Sequence, residues 1–207
     1  MTADANFPGD AGYWDHRFET GDTPWDIGYI SPPLKAYADQ LKDKNMSVLI
    51  PGCGNSYEAE YLLKLGFSRI TVIDISPTLT RRLEEKFGAF INKQLHIVTG
   101  DFFALQERFD LILEQTFFCA LDPALRPAYA RKMQELLNPG GRLAGVLFNR
   151  IFSTPGPAFG GTIEEYTQLF GPFFRITTME PCYNSVKPRE GSECFFILEK
   201  QSTGPNL

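Results

Sequence analysis

Between residues 46 and 148, short β-branched or apolar runs alternate with amphipathic segments, and this alternation leaves few folds open to the chain. Strands are expected at 46–50, 69–74, 95–98, 109–113 and 142–148, with helices at 56–65, 78–87 and 126–137. Ser76-Pro77 supplies a cap followed by a proline at the first helical position. Asn138-Pro139-Gly140-Gly141 reads as the stop of the third helix. Strand and helix in turn at this spacing call for right-handed crossovers and a parallel sheet.

After Arg150 a loop rich in Gly, Pro and Phe precedes the capping box Thr162-Ile163-Glu164-Glu165, which opens another helix. Residues 175–179 and 193–200 read as two strands of a hairpin, which adds an antiparallel edge to the sheet. The expected fold class is therefore α/β, a seven-stranded, mostly parallel sheet with helices on both faces. Residues 1–45 fall outside the alternation. They carry Tyr13, Trp14, Phe18, Trp25 and Tyr29, so they are expected to form an aromatic lid over a core at 46–200, within one domain spanning 1–207.

A length of 207 residues with 43% hydrophobic side chains suffices for one sizeable core. Twenty basic against 25 acidic residues give a net charge of -5, which opposes binding to nucleic-acid phosphates. The four cysteines form no CxxC pair and the two histidines, His16 and His96, have no metal-ligand spacing, so no metal is expected. Met1 to Asp10 shows no basic-then-apolar leader, and no apolar run reaches the roughly 18 residues a membrane helix needs. The chain is read as a cytoplasmic monomer with no membrane partner.

The chemistry collects at strand ends. Val48-Leu49-Ile50-Pro51-Gly52-Cys53-Gly54 writes a strand and a tight turn, where two glycines let the backbone approach a ligand. Gly-x-Gly alone marks no more than a turn. Asp74, however, ends the second strand where an acid can accept from both ribose hydroxyls of an adenosine. Tyr57 takes the place of the third glycine of a dinucleotide site, which weakens an NAD-dependent oxidoreductase and suggests a smaller cofactor. Asp101 and Phe102 follow the third strand with an acceptor for an exocyclic amine and a ring for a purine. Glu114 and Gln115 end the fourth, where they could hold an ammonium or a carboxylate.

Taken together, Pro51-Gly52-Cys53-Gly54, Asp74, Gly100-Asp101-Phe102, Phe109-Asp110-Leu111-Ile112 and Leu137-Asn138-Pro139-Gly140-Gly141 resemble the class I S-adenosylmethionine methyltransferases. Trp14, Phe18 and Asp22-Thr23-Pro24-Trp25-Asp26-Ile27-Gly28 resemble the N-terminal segment of the thiopurine methyltransferase family. Thr116-Phe117-Phe118-Cys119-Ala120-Leu121 is most similar to its halide/thiol branch. The resemblance runs from Tyr13 to Lys200 and implies a Rossmann-like fold with S-adenosylmethionine as cofactor and S-adenosylhomocysteine as product. It also implies that Trp14, Phe18 and Trp25 line the methionine half of the cofactor, Gly52 and Gly54 its backbone approach, Asp74 its ribose and Asp101-Phe102 its adenine. Phe18 and Gln115 replace a tryptophan and a tyrosine of the plant relatives, which bears on the acceptor.

Methyl transfer is an in-line displacement, so the protein must align nucleophile, methyl and sulfur and exclude water. A soft, already anionic acceptor needs no base, and no Cys/His or Ser/His/Asp arrangement is visible. Phe117, Phe118, Phe148, Phe152 and Phe159 are expected to form an apolar acceptor pocket, with Arg150 drawing in an anion. The expected acceptor is a small thiol, thiopurine, halide or pseudohalide. The alternatives are a larger oxygen or nitrogen acceptor, or a module that binds the cofactor without chemistry.

Overall fold

The computed structural model describes residues 9–154 and 156–201. The expected lack of a leader in Met1 to Asp10 therefore falls mostly outside the described residues. Asp10 caps helix α1 (Ala11–Thr20), and Gly21, at φ 71°, ends it in a left-handed turn. Helix α2 (Pro32–Ala38) opens on two prolines, whose fixed φ suits the first turn.

The alternating segment then builds β1 (Val48–Pro51), α3 (Tyr57–Lys64), β2 (Ile70–Asp74), α4 (Pro77–Phe87), β3 (Leu95–Thr99) and β4 (Phe109–Gln115). It continues through α5 (Arg126–Glu135), β5 (Leu137–Phe148), α6 (Ile163–Phe170), β6 (Phe174–Pro181) and β7 (Glu193–Lys200). The sheet order is β3-β2-β1-β4-β5-β7-β6, parallel from β3 through β5, with β7 antiparallel to both neighbours. The expected seven strands and antiparallel edge are both present.

Strands β1 and β2 are buried along their whole length, as a parallel sheet covered on both faces requires. Side chains alternate between the faces: Val48 and Ile50 pack with Phe18, Leu34, Leu62 and Leu83, whereas Leu49 packs with Tyr129, Met133 and Phe170. Burying a Leu or Ile side chain in either layer is worth about 1.5–3 kcal/mol.

One sequence expectation is corrected here. Asn138-Pro139-Gly140-Gly141 does not terminate the helix; α5 ends at Glu135, and these residues open β5, where Leu137 pairs with Phe109. The register shifts between Phe109 and Leu111, and a Cβ at Gly141 would lie 2.9 Å from the Asn138 carbonyl oxygen and 3.1 Å from that of Phe109. Glycine is needed there because two carbonyls crowd the bulge.

Strand addition reverses between β1 and β4, which opens a crevice at the carboxyl ends of the strands. Because β6 runs parallel to β5, its connection to β7 emerges at that same edge, with Phe148 facing Glu193. Among the described residues no helix is long and apolar enough to cross a membrane.

Candidate active site

A cavity of about 590 Å³ occupies this crevice, within the size range of sites for drug-sized ligands. Its floor is the turn after β1, where Gly52, Gly54 and Ser56 adopt φ of 55°, 48° and 54°. Gly52 must lack a side chain for a second reason: a Cβ there would fall 2.7 Å from Cγ of Phe117. At Gly54 the space beside the backbone is open, leaving room for a ligand to approach.

Asp74 borders this turn, 8% exposed, and accepts from the amides of Gly54 at 3.3 Å and Ser76 at 3.0 Å. Burial pushes its carboxyl up to about 6, while the amide hydrogen bonds oppose the rise. Asp26 and Glu58 also line the cavity. Asp26 accepts from the Tyr57 hydroxyl at 3.2 Å and from the Asn55 side-chain amide, which ties the segment before α2 to the glycine turn. Glu58 accepts from the Ser31 amide at 3.2 Å, and burial raises its carboxyl above the usual range. Acidic groups thus gather on this side, a field that favours a cationic ligand.

Trp14, Phe18 and Trp25 line the cavity as well. Their rings interlock edge to face, Trp14–Trp25 at 5.5 Å and Phe18–Trp25 at 6.0 Å between centroids. They are packing residues and cavity wall at once. Helix α1 is anchored by Asp15, which accepts from the Thr78 amide at 3.0 Å and from the Ser76 hydroxyl at the start of α4.

Asp101 and Phe102 both line the cavity, although Asp101 also caps the short turn after β3 by accepting from the Phe103 amide at 2.8 Å. Phe102 is largely buried, with its ring 5.1 Å from that of Phe117. Gln115 lines the cavity too, and its side-chain oxygen is buried without a hydrogen-bond partner. A bound donor would satisfy that oxygen, and an unpaired buried acceptor is otherwise costly.

Several expectations need correction. Glu114 does not line this cavity: its fully buried carboxylate turns to the opposite side of β4, where it accepts from the amides of Phe117 and Phe118 and the hydroxyl of Tyr129. Residues 114 and 115 of a strand point to opposite faces, so only one can face a ligand. Phe118 packs in the core against Tyr129, Tyr166 and Phe170. Phe159 also lies off the cavity, its amide bonded to the Cys119 carbonyl at 2.7 Å. Arg150 is exposed and sits 4.8 Å from the centroid of the Phe152 ring without itself lining the cavity. Phe117, Phe148 and Phe152 do line it.

The cations at the cavity are Arg17 and Arg189, neither of which the sequence reading selected. Arg17 lies 5.0 Å over the Trp25 ring, and Arg189 donates to the Trp25 carbonyl at 2.7 Å. Arg189 also stands 5.5 Å from the Phe148 ring centroid and 3.5 Å from Glu193. It belongs to a short 3-10 turn between β6 and β7, so no local pattern links it to Trp25, 164 residues away in sequence.

An adenosine-bearing sulfonium cofactor fits these residues: a buried carboxylate beside a glycine turn, acidic walls, aromatic faces and one orphaned acceptor. Comparison with known proteins agrees. The chain is 33% identical over 197 residues to "Probable thiol methyltransferase 2" of Arabidopsis thaliana, covering 93% of this chain and 87% of that protein. It is 31% identical over 187 residues to "Thiocyanate methyltransferase 1" of Brassica oleracea, covering 88% and 82%. Among solved structures, 1,6-didemethyltoxoflavin-N1-methyltransferase of Burkholderia thailandensis, bound to S-adenosylhomocysteine, superposes with a TM-score of 0.72 at 19% identity, covering 93% of this chain and 87% of that one. The sequence model of the thiopurine S-methyltransferase family matches residues 9–202, and with the relatives above it shows that the chain belongs to that family and is an S-adenosylmethionine-dependent methyltransferase.

Proposed function

We propose that the enzyme methylates small soft anions, namely thiolates, thiopurines, halides and pseudohalides such as thiocyanate, by direct displacement. The observation that carries this reading is the composition of the wall beyond the glycine turn. Phe117, Phe148 and Phe152 make it apolar, Arg189 supplies a positive charge, and neither histidine borders it. Burial pushes the Cys119 thiol up to about 12, so it cannot serve as a base near neutrality. An acceptor that arrives deprotonated needs none, and a soft anion loses its hydration shell in such a pocket at less cost than a hard one.

In this reading Asp74 accepts from the ribose, Gly52 and Gly54 give the backbone approach, Asp101 and Phe102 meet the adenine, and Gln115 receives a donor from the cofactor. Trp14, Phe18 and Trp25 cover the reacting end and keep water out. When bound, S-adenosylmethionine supplies an electrophilic methyl group, and the residues of this chain orient and shield it. Within the described residues the segment before β1 acts as the cover and the sheet with its helices as the core of one domain, working in the cytoplasm as a monomer, with no part played by nucleic acid at a net charge of -5.

The deciding assay supplies methyl-labelled S-adenosylmethionine with iodide, hydrosulfide, thiocyanate or a thiophenol and separates the products by mass. A labelled methyl iodide or thioether is the expected product. Binding of S-adenosylhomocysteine without methylation of any panel member would overturn the small-anion reading in favour of a larger acceptor or a non-catalytic binder.

A further inference from the structure

Behind the cavity, on the other side of β4, a carboxylate with no cationic partner among the described residues is fully buried. Glu114 places Oε1 2.9 Å from both the Phe117 and Phe118 amides, and Oε2 2.6 Å from the Tyr129 hydroxyl. The three residues it spans include Thr116, a β-branched residue at φ 59°, in the left-handed region that such side chains avoid. A turn of this kind persists only where its surroundings hold it. The two residues flanking Thr116 are Gln115 and Phe117, both cavity wall, and Phe117 fills the space beside Gly52.

We propose that Glu114 is a positioning residue for methyl transfer: by gathering the two amides after Thr116, it sets Gln115 and Phe117 against the cofactor turn at Gly52. It touches neither substrate nor cofactor and acts through the backbone it holds. What matters is the reach of its oxygens rather than its charge. A protonated carboxyl keeps Oε1 free to accept from both amides, while its proton can be donated to the Tyr129 oxygen, which reverses that one bond. A glutamine keeps its oxygen on the two amides and turns its nitrogen to donate to Tyr129, at the cost of the acceptor that the buried phenol proton has in the parent. An aspartate keeps the charge but is one methylene too short to meet both amides and the phenol.

The proposal rests on the cofactor assignment and not on the identity of the acceptor, so its first readout is S-adenosylhomocysteine affinity, measured by titration calorimetry on the full chain. In Glu114→Asp, Kd is expected to rise about 10-fold or more, because a displaced wall of about 1 Å costs that order in a preorganised site. In Glu114→Gln it is expected to stay within about 3-fold of the parent, and kcat on whichever acceptor the panel finds should follow the same ranking. A purely structural role would leave affinity unchanged in the folded fraction of either variant. The inverse ranking, with aspartate intact and glutamine impaired, would overturn the proposal by showing that charge is what counts. So would wild-type affinity in both. If Glu114→Asp does not fold, amide hydrogen exchange in Glu114→Gln decides. Parent-like protection at Phe117 and Phe118 is expected, and loss of it with unchanged affinity defeats the positioning role. A parent enzyme that binds cofactor yet methylates nothing in the panel removes the acceptor reading alone and leaves this test intact.

Discussion

Gly52 and Phe117 occupy complementary halves of one space: the phenylalanine ring lies where a side chain at residue 52 would stand, with its Cγ 2.7 Å from the position a Cβ there would take. The floor and the wall of the cavity are therefore a single packed unit. Gly52→Ala is expected to lose cofactor affinity by about 10-fold or more and to destabilise the fold by about 1–3 kcal/mol, since it adds overlap to a backbone at φ 55°. Calorimetric titration and chemical denaturation measure the two effects. Adding Phe117→Ala should recover part of the stability, and strict additivity of the two losses would show that the residues do not compete for space.

Asp74 predicts opposite pH slopes for the free and the bound protein. Its folded carboxyl titrates at about 6, above the ordinary 3.8, so the empty fold holds a proton that the unfolded chain releases. Its stability contribution is thus full below about pH 4 and is lost as pH rises through 6, amounting to roughly 3 kcal/mol at about 1.4 kcal/mol per unit. Ribose recognition needs the ionised form, so S-adenosylhomocysteine affinity should rise over the same range. Asp74→Asn should flatten the affinity slope and bind weakly throughout; a parent-like slope in that variant would remove Asp74 from the ribose assignment.

Arg189 and Arg150 separate cleanly as variants. Arg189→Met should raise KM for an anionic acceptor by about 10-fold, because a desolvated cation at an apolar wall is lost. Arg150→Ala should stay within about 2-fold, as an exposed side chain outside the cavity has little influence. Steady-state kinetics with thiocyanate or a thiophenol would distinguish them, and equal effects would contradict the placement of both.

Asp15→Ala removes the bond that fastens α1 to the first turn of α4. The loss of such a cap costs about 1 kcal/mol. Denaturation midpoints report that loss, and weakened S-adenosylhomocysteine binding would accompany it if the aromatic wall depends on this anchor. Unchanged affinity would mean that Trp14, Phe18 and Trp25 hold their places by packing alone.

The sheet and the glycine-turn side of the cavity were legible because their signals are local. A glycine turn, a strand-end acid and a capping box are each read within a few residues, and Asp74, Gly52, Gly54 and Thr162 stand where such signals put them. The acceptor half was harder to read for two separate reasons. Glu114 against Gln115, and Phe118 against Phe117, are neighbours with opposite destinations, and apolar or polar character alone does not say which faces the ligand. Arg189 reaches Trp25 only because β7 inserts between β5 and β6, a long-range pairing that no local pattern encodes. The sequence Asn138-Pro139-Gly140-Gly141 misled for a third reason. Residues that end a helix also suit a bulged strand entry, and pairing with Phe109 decided between the two.

The insertion of β7 also divides the labour of the molecule along the sheet. In the proposed reading the ends of β1 to β4 build the half that meets the nucleoside, whereas β5 and the β6–β7 connection contribute Phe148 and Arg189 to the acceptor half. That connection enters and leaves by two antiparallel neighbours at the margin of the sheet, so its length and composition can change with little disturbance to the nucleoside half. Grafting connections of different charge onto this one scaffold is thus a route to enzymes that share a methyl donor and differ in what they methylate.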